Sequence, residues 1–62
     1  MSVFENIERI AHQKGKTVRA VSIAAGLSDD TVAKWKNGNP SLKNLSKVAK
    51  VLGVSVTDLV EE

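Results

Sequence analysis

The sequence predicts an all-α fold of five short helices, on three observations. Apolar residues recur at three- and four-residue spacing, the period of one helix face. Each segment opens on a Ser or Thr able to cap a helix: Ser2, Thr17, Ser28, Ser41 and Ser55. And Ala25-Gly26-Leu27-Ser28 is a helix stop followed at once by a helix start.

Val3, Phe4, Ile7, Ile10 and Ala11 define a first helix from Ser2 to about Lys14, ended by Gly15. Thr17 caps a second helix running to Ala25, with Val21, Ala24 and Ala25 turned inward and Ile23 left as a partly exposed apolar spot. Leu27 plugs the corner. A third helix is expected from Ser28 to about Lys36, with Asp29 and Asp30 at its positive end and Val32 and Trp35 as core anchors. Asn37-Gly38-Asn39-Pro40 reads as a turn, because Gly and Asn tolerate the left-handed region and Pro stops a helix. Ser41 opens a fourth helix to Leu52 with Leu42, Leu45, Ala49 and Leu52 as its stripe and Val48 beside them. Trp35 is expected to hold the third helix against this fourth one, near Leu42. Gly53 and Val54 close the fourth helix, and Ser55-Val56-Thr57-Asp58 resembles a capping box for a fifth.

Sixty-two residues make one domain, 1–62, near the lower size limit for folding without metal or disulfide. The chain has no Cys, which excludes disulfides and thiolate metal sites. No apolar run approaches a membrane span and no signal peptide is visible, so no membrane partner and a cytoplasmic location are expected. His12 stands alone and reads as a surface residue rather than a metal ligand. No nucleophile–base pair, phosphate loop or carboxylate dyad occurs, so neither an enzyme nor a cofactor is expected.

Charge is unevenly spread. Residues 14–50 carry eight basic groups against Asp29 and Asp30, a net +6, whereas the two ends carry five acidic groups against Arg9, a net −4. A basic middle suits one face directed at a polyanion.

The pattern Thr-x-x-x-Val-Ser-x-Ala-Ala-Gly-Leu-Ser-x-x-Thr-Val-x-x-Trp-x-Asn-Gly over 17–38, followed by Pro-Ser-Leu and Leu-Gly-Val-Ser, resembles the Cro and phage-repressor class of helix-turn-helix proteins, the xenobiotic-response-element-like transcriptional regulators. The likeness spans about residues 3–60. It implies a compact, lambda-repressor-like DNA-binding domain whose helix-turn-helix unit lies at about 17–38. It implies binding of double-stranded DNA, sequence-specific, through a recognition helix in the major groove, in a transcriptional repressor or Cro-like regulator.

Carried over residue by residue, the resemblance puts Asp29, Asp30, Thr31, Ala33 and Lys34 at or beside the base-reading offsets. Lys34 can donate to guanine O6 and N7, a carboxylate can accept from cytosine N4, and the Ala33 methyl can meet a thymine methyl. Asp29 and Asp30 have a second reading, as partners of the helix dipole. Phosphate contacts are expected from Thr17 and the amides after it, Val18 among them, and from Asn37, Ser41, Lys36 and Lys43 around the following turn. Relatives commonly carry Gln at the offset of Val18, so that side-chain clamp is missing. Lys47 and Lys50 either flank the DNA or line a solvated face. Many relatives also pair a late Arg of the first helix with a Glu before the Asn-Gly turn. Here those offsets hold Ala11 and Lys36, and the loss of both partners leaves no orphan charge.

One recognition helix reads few base pairs, so a weak homodimer is expected. Val51, Val56 and Val60, left over by the core stripes, are the candidate interface. An alternative from another class is a protein-interaction module on the same fold, such as an antitoxin or partner-binding domain. Asp29, Asp30, Val18 and Ile23 favour it.

Overall fold

In the computed structural model, which describes residues 2–38 and 40–60, four α-helices and one 3-10 segment enclose a single apolar core. The order is α1 (Val3–Gln13), α2 (Val18–Ala24), the 3-10 segment Ala33–Asn37, α3 (Leu42–Leu52) and α4 (Val56–Val60). The described residues contain no strand.

Local chemistry sets most of the helix ends. The Ser2 Oγ accepts the Glu5 amide while the Glu5 carboxylate accepts the Ser2 amide, a reciprocal capping box. The Ser2 backbone N–H, and then its hydroxyl, hold the Glu5 carboxyl below the ordinary glutamate value. Ser55 and Asp58 repeat the arrangement at α4, with the expected Asp for Glu. Thr17 Oγ1 accepts the Ala20 amide and Ser41 Oγ the Asn44 amide. Gly26 has φ 78°, which lets the Leu27 amide reach back to the Ser22 carbonyl and the Gly26 amide to the Ile23 carbonyl, closing α2 in a Schellman motif.

The core comprises Phe4, Ile7, Ala11, Val21, Val32, Trp35, Leu45, Val48, Ala49, Leu52 and Leu59. α1 is its hub, touching α2, α4 and the 3-10 segment, while α3 packs on α2 and α4. Two polar residues are fully enclosed with it, Asn6 and Ser22. Asn6 Nδ2 donates to the Leu59 carbonyl at 2.9 Å and so ties α1 to α4.

The structure corrects three expectations. The third helix is not continuous: residues 29–32 form turns, and regular structure resumes only as the 3-10 segment, so the fold has four α-helices rather than five. The cause is a competing acceptor. In an α-helix begun at Ser28 the Val32 amide would bond to the Ser28 carbonyl, but it donates instead to Ser22 Oγ of α2. The Ser28 carbonyl takes the Thr31 amide, a turn bond, and Ser28 provides no side-chain cap. Asp and Thr are weak helix formers, so little opposes this.

Secondly, Ala24 is exposed, because the inward stripe of α2 is Val18, Val21, Ser22 and Ala25. Thirdly, Leu42 is 71% exposed and not part of the α3 stripe. Trp35 lies in the core with Leu45 and Val48 of α3, in a segment that also packs on α1. Asn39 of the expected turn and the terminal Glu61 and Glu62 lie outside the described residues.

Candidate nucleic-acid interface

The helix-turn-helix unit is built from α2, the Gly26 corner and the stretch from Ser28 to Asn37. Leu27 is half-buried at the corner and packs on the core. Val32 is fully buried and Trp35 is 8% exposed, so one side of the stretch is fixed to the core. The opposite side presents Asp29, Asp30, Ala33 and Lys34 to solvent, with Thr31 half-buried beside them. These are the side chains assigned to base reading from the sequence, and all of them but Thr31 are exposed.

Ser22 links the two limbs of the unit. Its Oγ donates to the Val18 carbonyl at 3.1 Å and accepts the Val32 amide at 3.3 Å. Sequence reasoning assigned Ser22 no role. Its signal was a small polar residue on the inward stripe of a short helix, where an enclosed hydroxyl needs a partner.

Charges on this surface are paired. Arg19 Nε lies 3.5 Å from Asp29 Oδ2, joining α2 to the turn, and Lys34 Nζ lies 3.3 Å from Asp30 Oδ2. All four side chains are more than half exposed, so each pair contributes at most about 1 kcal/mol to folding. Arg19 had been counted only as part of the basic middle. Lys36 is also engaged: its Nζ sits 5.0 Å from the centroid of the Phe4 ring. The contact joins the 3-10 segment to α1.

The phosphate candidates flank the unit. Thr17 is exposed at the start of α2 and Val18 is half-buried against the core, leaving only its backbone for a ligand. Asn37, Ser41 and Lys43 are exposed around the turn into α3, and Lys14, Lys16 and Lys50 are exposed elsewhere. Val51 and Val56, two of the three candidate dimer residues, are half-buried and pack against the core, so they have an internal role. Of these three, only Val60 is exposed, at 48%.

With this geometry in place the class is defined by comparison. A family model described as a Cro/C1-type HTH DNA-binding domain matches residues 6–61, and the chain belongs to that family. The crystal structure of the prophage Lp1 protein 11 superposes with a TM-score of 0.79 at 32% identity, covering 92% of this chain and 79% of that one. Two enzyme structures also share the fold. FeII HppE in complex with substrate gives a TM-score of 0.79 at 28% identity over 97% of this chain. The hydroxypropylphosphonic acid epoxidase from S. wedmorenis gives 0.78 at 29% identity over 95%. This chain spans only 35% and 32% of those two chains. No curated protein matches.

Proposed function

We propose that the domain binds double-stranded DNA sequence-specifically, with the stretch from Asp29 to Lys34 at the base edges of the major groove, as a repressor or Cro-like regulator acting in the cytoplasm. The observation that carries this reading is the division of that stretch into a core-anchored side, Val32 and Trp35, and an exposed side bearing Ala33 and Lys34. The family membership and the basic middle of the chain support it. Lys43, Asn37 and Ser41 supply the phosphate contacts that set its register. The role is one of binding, with no reaction assigned.

The molecule measures 24 Å along its longest axis, short of the ~34 Å between successive major-groove faces of one DNA turn. One copy therefore reads one half-site, and a two-fold dimer reads two. Val60 leads the candidate contact, the half-buried Val51 and Val56 being the other two candidates. A protein-interaction role on the same fold is the second reading, favoured by Ile23, which is 54% exposed on α2.

The test is binding to a pooled duplex library as salt is varied. Four to six neutralised phosphates per dimer give log K against log salt a slope of roughly −4 to −5. Lys34→Ala should cost about 1–3 kcal/mol on the selected site and relax preference at one base pair, whereas Lys43→Ala should weaken all duplexes alike. Salt-independent binding, no binding at all, or equal effects of the two substitutions on affinity and base preference would defeat the proposal.

A further inference from the structure

We propose that Asp29 and Asp30 are built-in counterions which hold Arg19 and Lys34 out of non-specific contact with the phosphate backbone, and so confine the use of these two cations to the correct site. The inference rests on the DNA-binding reading above and adds a specificity device to it.

Three observations carry it. Both carboxylates on the exposed side of the unit sit within ion-pair distance of a base, 3.5 Å for Asp29 with Arg19 and 3.3 Å for Asp30 with Lys34. The unit from 17 to 38 holds three basic groups, Arg19, Lys34 and Lys36, against those two acids, a net +1 in a middle segment that is otherwise strongly basic. The third base, Lys36, is already turned to the Phe4 ring. The surface that would meet the bases is thus close to neutral, while the other lysines lie outside the unit in sequence. An approaching phosphate must compete with a carboxylate for each cation and is itself repelled by that carboxylate. A base edge poses no such conflict: a G·C pair presents guanine O6 and N7 as acceptors and cytosine N4 as a donor, so the lysine and the carboxylate can both be satisfied. The pairs are exposed, hence cheap to open where such compensation exists.

The experiment is a salt titration of the 62-residue chain on a random-sequence duplex, with the parent, Asp29→Asn/Asp30→Asn, and the same double variant also carrying Arg19→Ala and Lys34→Ala. Each released cation that gains a phosphate steepens the slope by about 0.9, which is about eightfold in affinity at 0.1 M salt and about sixtyfold for two. The expected result is a folded double variant that binds random DNA about tenfold or more tighter than the parent, with a steeper slope and reduced preference for the selected site. The quadruple variant should lose that gain.

An unchanged or lower affinity of the double variant for random DNA overturns the inference while leaving the DNA-binding reading intact. So does a gain that survives removal of Arg19 and Lys34, since the quadruple variant carries the parent's net charge and those two cations would then not be the source of the gain. If the parent binds no duplex while the double variant does, the proposed function of the parent falls and the inference falls with it. If neither binds, both fall.

Discussion

Ser22→Ala and Ser28→Ala form a pair for which local sequence rules and the tertiary structure expect opposite results. By sequence, Ser28 is the helix cap and its loss should cost about 1 kcal/mol, while Ser22 sits inside a helix where Ala is the better residue. In the structure the Ser28 side chain caps nothing, and Ser22 Oγ accepts the buried Val32 amide at 3.3 Å and donates to the Val18 carbonyl at 3.1 Å. Ser22→Ala leaves the Val32 N–H without its acceptor in a fully buried position, a cost of about 1–3 kcal/mol, offset by about 0.5 kcal/mol of helix propensity. The net loss is roughly 0.5–2.5 kcal/mol, and a mid-range 1.5 kcal/mol lowers Tm by about 6–12 °C for a domain of this size. Ser28→Ala should stay within about 0.5 kcal/mol of the parent. Urea and thermal unfolding followed by circular dichroism measure both. If Ser28→Ala is the more damaging substitution, a continuous third helix capped by Ser28 is correct and the competing-acceptor argument is wrong.

The same unfolding assay separates Trp35 from Leu42. Trp35→Ala, at a site 8% exposed, should remove about 3–5 kcal/mol, whereas Leu42→Ala, 71% exposed, should change stability by less than about 0.5 kcal/mol. Equal losses would mean that the two side chains do pack together. Val60→Asp should leave the melting temperature nearly unchanged yet abolish cooperative binding to a two-half-site duplex. Retained cooperativity would place the dimer contact elsewhere. Acid sensitivity has a defined sign at Glu5: its folded-state pKa is lowered, so its contribution is present above the unfolded value and is lost as pH falls through the folded one. Stability of the parent should therefore drop more than that of Glu5→Gln when pH is lowered from neutrality through and below the ordinary value of 4.5. Parallel pH profiles would show that the capping-box charge does not matter.

What the sequence determined by itself was the part of the fold governed by neighbours in the chain. Ser2 with Glu5, Ser55 with Asp58, Thr17, Ser41 and the Gly26 corner act over three to five residues, and their local chemistry specifies helix ends without reference to the rest of the molecule. The helical period likewise marked Ile7, Val21, Leu45 and Leu52 as core, and the exposed side of the unit, Ala33 and Lys34 included, followed as its complement. Tertiary structure decided whatever depends on residues distant in sequence, because no local period encodes the distance between them. The Val32 amide finds Ser22 ten residues away and so breaks the third helix. Asn6 reaches the Leu59 carbonyl across nearly the whole chain, which makes an Asn a core residue. Arg19 and Asp29 meet only because the Gly26 corner turns the chain back, and Lys36 faces Phe4 only because the 3-10 segment lies on α1. Leu42 remains in solvent, although its spacing from Leu45 places it on the apolar stripe. A stripe names the residues able to be buried, and only the packing partner decides which of them are.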